Sequence, residues 1–253
     1  MINKKKIKIN NTYISYIYNY SVDVKNDSLV IMIHGFGDDN DGRGIYTALE
    51  KELEKNGISS IRFDMPGHGE SSGCSSLISV DDIISIVKSL IQKNKYKNYY
   101  LVGSSYGASV AVLASKKLSI SKMVLYSPLL DFKNNIIKPS NKFCSLFLGK
   151  RAYDKIKKFG FSYFGLSDVK IGEKVYDDAY KYNPNLDIGK IKSDILIFHG
   201  DNDEVIPFEQ SNEITKKYKN ISLKVIKNGV HLFEKKQYNR IVKDTIKFLS
   251  DSD

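Results

Sequence analysis

A series of short, continuous apolar runs constrains this chain more than any other feature. Residues 29–33 read Leu-Val-Ile-Met-Ile and end in His34-Gly35-Phe36-Gly37. Such runs suit strands buried on both faces of a parallel sheet, where no polar face alternates with an apolar one. Further strands are expected at 58–63, 99–102, 123–126, 195–198 and 223–226. Helical patterns lie between and after them, at 46–55, 79–92, 106–117, 208–218 and 238–249. Asn56-Gly57 stops the first helix, and Ser79 caps the second with Asp81 and Asp82 in its first turn. Residues 7–18 alternate loosely and carry Tyr and Thr, as a strand or hairpin at a sheet edge would. The expected fold class is therefore α/β, with a mostly parallel central sheet and helices on both faces.

The rhythm breaks once. Residues 131–192 show no clean β-α alternation, and Phe143, Leu146, Phe147, Phe159, Phe161, Tyr163 and Phe164 cluster there with glycines between. This stretch is read as an insertion that caps one end of the sheet. A chain of 253 residues fits one such domain, 1–253, with 131–192 as its cap or lid.

The chemistry centres on Gly103-Ser104-Ser105-Tyr106-Gly107, a G-x-S-x-G pentapeptide where a strand hands over to a helix. A turn this sharp strains its central residue, and the glycines at Gly103 and Gly107 remove Cβ atoms that would clash. Ser105 is the expected nucleophile. A serine hydroxyl needs a base, and the chain has four histidines: His34, His68, His199 and His231. His231 lies late in the chain after the last strand, and it alone leaves room for an acid between serine and base beyond the insertion. The acid is sought in His199-Gly200-Asp201-Asn202-Asp203-Glu204-Val205-Ile206-Pro207. Asp203 is preferred. Asp201, nearer the strand end, reads as a turn residue, and Glu204 is the third candidate. The acid would hold the imidazole tautomer and stabilise imidazolium as it forms. The N–H groups of Phe36 and Tyr106 are expected to form the oxyanion hole. His34 and His68 read as loop braces.

Composition removes other classes. Net charge is +10, but of 39 basic residues only four are arginine, and the lysines spread over the whole chain. That pattern reads as a solvated surface and lacks the arginine forks of nucleic-acid readout. No stretch approaches the ~20 apolar residues of a membrane span. Residues 1–10 are basic but lack an apolar core, so they do not read as a secretory signal. Cys74 and Cys144 are too few for a disulfide framework. The expected location is cytoplasmic. Histidine and cysteine spacing shows no metal motif, and no glycine-rich phosphate cradle is evident.

Four segments taken together resemble the α/β-hydrolase superfamily: 34–37, 64–71, 103–107, and 199–207 with His231. Within it the chain looks most like bacterial cinnamoyl and feruloyl esterases. Ile33-His34-Gly35-Phe36, Ser60-Ile61-Arg62-Phe63-Asp64 and Gly67-His68-Gly69-Glu70-Ser71 carry that likeness. A second likeness, to monoacylglycerol lipases, rests on His34-Gly35-x-Gly37, Gly42-Arg43 and Gly67-His68-Gly69-x-Ser71. The resemblance implies hydrolysis of a small-molecule carboxylic ester through an acyl-enzyme, without metal or organic cofactor. It also implies a lid that binds an aromatic acyl group, with Tyr176 contacting the phenol. The elbow departs from those esterases, carrying Ser104 and Tyr106 where they often have His and Gln. Lipase, thioesterase and peptidase chemistry on the same triad are the enzymatic rivals. A non-hydrolytic binding protein would be expected to break the triad, and here every position is filled.

Overall fold

Eight strands form the central sheet in the order β1-β2-β4-β3-β5-β6-β9-β10. The structure is a computed structural model and describes residues 3–21, 27–165 and 168–251. The first two strands, β1 (Asn3–Ile9) and β2 (Thr12–Asn19), form an antiparallel hairpin at the sheet edge. Its two-residue turn uses Asn10 and Asn11 at φ 47° and 64°, the left-handed conformation that matches strand twist. Exposed Lys4, Lys5 and Lys6 lie on the edge strand and discourage further edge pairing.

The remaining strands are β3 (Ser28–Ile33), β4 (Ser59–Phe63), β5 (Asn98–Ser104), β6 (Lys122–Tyr126), β9 (Asp194–Gly200) and β10 (Ile221–Ile226). From β4 through β10 every pairing in this sheet is parallel. Strands β3, β4 and β6 are buried at every position; Leu29–Ile33 of β3 therefore reads as an apolar run, whereas β4 buries Ser59, Ser60 and Arg62, the last paired with Glu50 at 2.8 Å.

Helices cover both faces. On one side α1 (Ile45–Lys55) packs against α9 (Lys235–Ser250) over Val30, Met32, Val102 and Phe198. On the other lie α2 (Val80–Lys93), α3 (Tyr106–Ser115) and α8 (Glu209–Lys217), over Ile31, Leu101, Leu125 and Ile197. Each such side chain, fully buried, contributes roughly 1.5–3 kcal/mol. Ser79 caps α2 in a reciprocal box with Asp82. Alanines let α3 sit close against the sheet.

Residues 131–192 leave the β-α alternation. They hold a π-helical turn (Lys133–Ile137), α4 (Lys142–Phe147), α5 (Lys150–Phe159), the small hairpin β7 (Ser162–Tyr163) with β8 (Lys170–Ile171), α6 (Glu173–Lys181) and α7 (Pro184–Asp187).

Candidate active site

Ser105 stands at the sharp junction of β5 and α3, with φ 50° and ψ −117°. Its side chain is forced out of the strand because the backbone on either side is crowded. A Cβ on Gly103 would lie 2.6 Å from both Ala108 Cα and Gly107 O. A Cβ on Gly107 would lie 2.2 Å from Ile33 O and 2.3 Å from His34 O. Glycine is therefore required at both positions. The Ser105 N–H donates to Tyr126 O at 2.9 Å, which ties the turn to β6.

The structure brings the expected base and acid to this serine. His231 lies in the loop between β10 and α9, and its Nδ1–H donates to Asp203 Oδ2 at 2.9 Å. A carboxylate only accepts, so Nε2 is left bare and takes the Ser105 hydroxyl at 3.2 Å. Asp203 follows β9 and has no exposed side-chain surface. Its other oxygen accepts the N–H groups of Val205 and Ile206 at 2.9 and 2.8 Å. Burial alone would raise the Asp203 carboxyl. The imidazoles of His199 and His231 and the Ile206 N–H outweigh it and hold the group well below the usual carboxylate range.

The sequence reading gave no part to His199. It is fully buried, and its Nε2–H donates to Ile206 O at 3.1 Å while lying 3.3 Å from Asp203 Oδ2. Ser211 then donates to Nδ1 at 2.7 Å. The signal was present, since the same H-G-x-x-D frame that points to Asp203 opens with this histidine. Asp201 is exposed on the turn.

His34 and His68 are braces. Met65 N–H donates to His34 Nε2 at 2.9 Å, so Nδ1–H donates to Gly35 O at 2.7 Å. Gly37 N–H donates to His68 Nε2 at 3.2 Å, and its Nδ1–H donates to Pro66 O at 3.1 Å. Burial lowers both from the ordinary histidine value, His68 to about 4 with further help from neighbouring His34. These neutral rings clamp the 34–37 loop onto the 64–71 loop. Among the described residues, neither the Phe36 nor the Tyr106 N–H donates to a protein acceptor.

Above the serine lies a cavity of about 300 Å³. Phe36, Ile136, Phe143, Leu148, Phe164 and Val175 make its wall largely apolar. Phe36 packs edge-on against Tyr106 and Phe164, with ring centroids 5.8 and 5.6 Å apart. Of the apolar cluster in 131–192, Phe143 and Phe164 reach the cavity, Phe143 while partly exposed, whereas Leu146, Phe159 and Tyr163 are exposed and do not line it. Tyr176 is a correction. It does not line the cavity: its ring is buried beside Tyr153, and its hydroxyl donates to Gly149 O at 3.0 Å. Its neighbour Val175 faces the cavity instead. Asp38 and Arg43 supply charge at the cavity, with Arg43 Nε 3.8 Å from Asp38 Oδ2. Burial pushes the Asp38 carboxyl up.

The family model described as serine aminopeptidase, S33, matches residues 24–160, more than half of the chain. The chain belongs to that family. It is a hydrolase, and its architecture is the α/β-hydrolase fold. A Synechocystis sp. protein named "Putative non-heme chloroperoxidase" is 27% identical over 238 residues, covering 80% of this chain and 84% of that protein. Among solved structures, Est1E from Butyrivibrio proteoclasticus with ferulic acid bound is 20% identical, covers 97% of each chain and has a TM-score of 0.78. A monoacylglycerol lipase from Paleococcus ferrophilus is also 20% identical, covers 93% of this chain and 98% of its own, and has a TM-score of 0.70. At these identities the two structures speak for the fold. Among the described residues, no helix is long and apolar enough to cross a membrane.

Proposed function

We propose that this S33-family chain is a serine esterase that hydrolyses carboxylic esters, with aromatic acyl esters of the feruloyl and cinnamoyl type favoured. The observation that carries the reading is the continuous relay from Ser105 through His231 to Asp203 on the floor of an apolar cavity. Ser105 Oγ attacks the ester carbonyl while His231 Nε2 takes its proton. The Phe36 and Tyr106 N–H groups hold the oxyanion, a contribution of about 3–4 kcal/mol per donor in comparable enzymes. His231 returns the proton to the leaving alcohol, and an acyl-enzyme remains on Ser105. Water then enters, His231 deprotonates it, and the acid is released. Asp203 keeps the imidazole in the required tautomer and stabilises imidazolium. Residues 131–192 act as the cap, and Phe143 and Phe164 give an aromatic acyl group rings to pack on.

A second reading keeps the triad but takes long aliphatic acyl chains, as a monoacylglycerol lipase does. The aliphatic residues in the same wall, Leu129, Leu148, Ile171 and Val205 among them, favour it. A hydrolysis panel separates the two: methyl ferulate, short and long p-nitrophenyl esters and a monoacylglycerol, on wild type and Ser105→Ala. Best turnover of methyl ferulate, lost in the variant, supports the aromatic reading. Preference for glycerides or long chains replaces it. Undiminished turnover by Ser105→Ala removes both.

A further inference from the structure

Asp203 stands on a stretch, 201–208, that forms neither helix nor strand. Two N–H groups of that same stretch, from Val205 and Ile206, reach its Oδ1. Its Oδ2 meets His231 and also a second imidazole. His199 Nε2 lies 3.3 Å from Oδ2 and 3.1 Å from Ile206 O, so one N–H is shared between two acceptors. The other tautomer is excluded, because a proton on Nδ1 alone would leave a bare Nε2 facing a carboxylate and a carbonyl. Ser211, fully buried on α8, therefore donates to Nδ1 at 2.7 Å. His199 itself stands on β9 opposite Val225 of β10, and Phe208 packs edge-on against its ring with centroids 5.8 Å apart. Strand, serine and phenyl ring fix the imidazole, and the imidazole fixes the loop. Ile206 is gripped at both ends of this arrangement: its N–H donates to Asp203 and its carbonyl accepts from His199.

We propose that His199 is a positioning residue for the hydrolysis: it ties the Asp203 carboxylate to β9 and takes up part of the negative charge that His231 would otherwise meet alone. The inference rests on the ester-hydrolase reading above and deepens it. His199 does not line the cavity, so its effect on the reaction passes through Asp203. Loss of its N–H has two consequences. The loop carboxylate is placed less firmly, which slows proton transfer through His231. The barer charge also holds the His231 imidazolium more tightly, so the neutral base is reached only at higher pH. Other groups near this pair are constant across the variants compared. Cys144 of α4 donates its thiol to Val205 O at 3.3 Å, and burial pushes that thiol up and keeps it neutral. Asp201 and Glu204 flank Asp203 with exposed side chains, and Asp38 and Arg43 share the cavity with His231.

The test compares wild type, His199→Asn and His199→Gln. Both replacements are neutral amides. Asparagine places its amide near Nδ1 and stops short of Asp203, whereas glutamine carries an N–H out to the position of Nε2. With p-nitrophenyl butyrate, His199→Asn should lower kcat about tenfold with KM little changed. The acid limb of its kcat/KM profile should move up by about half to one pH unit. His199→Gln should recover both. An acid limb in His199→Asn that coincides with the wild-type limb overturns the proposal even if kcat falls, since a merely structural residue would act that way. A glutamine variant displaced as far as the asparagine variant overturns it too. Where His199→Asn does not fold, His199→Leu, close to imidazole in size and without a donor, takes its place. An NMR titration of the His231 Cε1 proton in Ser105→Ala, alone and with each His199 substitution added, requires no turnover. A midpoint raised by asparagine and restored by glutamine upholds the proposal even if no ester is cleaved. Equal midpoints overturn it even if ester hydrolysis stands.

Discussion

Replacing Ser105 by glycine should make this protein more stable than replacing it by alanine. The usual order is the reverse, since glycine loses more backbone freedom on folding, by roughly 0.5–1 kcal/mol. At φ 50° and ψ −117°, however, a residue with a Cβ is strained. Conformations of that kind cost of order 1–3 kcal/mol. Both substitutions remove the same hydroxyl and the same hydrogen bond to His231, so those losses cancel in the comparison. The difference that remains is strain relieved less entropy lost, about 1–2 kcal/mol in favour of glycine. For 253 residues the unfolding entropy is about 0.5 kcal/mol per kelvin, so the gap in Tm is about 2–4 °C. Scanning calorimetry on the two variants measures it directly. A Ser105→Gly Tm equal to or below that of Ser105→Ala would refute the claim that this elbow stores strain. The wider backbone argument for Gly103 and Gly107 would then have to rest on crowding alone.

Two pH effects follow from buried groups away from the serine. Asp178 is 4% exposed, accepts the Val80 N–H at 2.7 Å, and has its carboxyl raised by burial to about 6. Its contribution is fully present below the unfolded value near 3.8 and is lost as pH rises through about 6, a swing of roughly 3 kcal/mol. Asp178→Asn keeps an acceptor for Val80, so its Tm advantage over wild type should grow between pH 4 and 6 and then level off. A Tm difference that stays constant across that range would count against the assignment. His68 acts in the opposite sense: its folded value of about 4 means that stability is full above 6.5 and drains away as pH falls toward 4. The His68 Cε1 proton should titrate near pH 4 in an NMR series, and a midpoint near 6.5 would show that the ring is not locked between Gly37 and Pro66.

The sheet and the relay were legible because the relevant residues are punctuated locally. Strands buried on both faces leave continuous apolar runs, and Gly103 and Gly107 mark a turn that few other residues permit. Chain order then narrowed four histidines to His231. Residues 131–192 offered no comparable signal. The helices there are four to ten residues long, too short for a 3.6-residue period to fix which face is buried. Tyr176 shows the consequence. One step along α6 separates Val175, which meets the cavity, from Tyr176, which turns to the Gly149 carbonyl. The resemblance placed Tyr176 at an aromatic site, but only the helix phase could say which way it pointed.

Asn135 illustrates the same limit from the other side. In Lys-Asn-Asn-Ile-Ile nothing distinguishes it from Asn134, which is spent on the Asp131 side chain through both its N–H and its Nδ2–H. The difference arises only when the π-helical turn rotates one amide outward and the next into the cavity wall. The chemistry of this protein thus divides between two kinds of sequence information. The groups proposed to react sit where backbone geometry demands particular residues, so they announce themselves. The groups proposed to choose the substrate, Phe143 and Phe164 among them, sit on a segment whose backbone tolerates many residues, and which of them meet the cavity emerges only after folding.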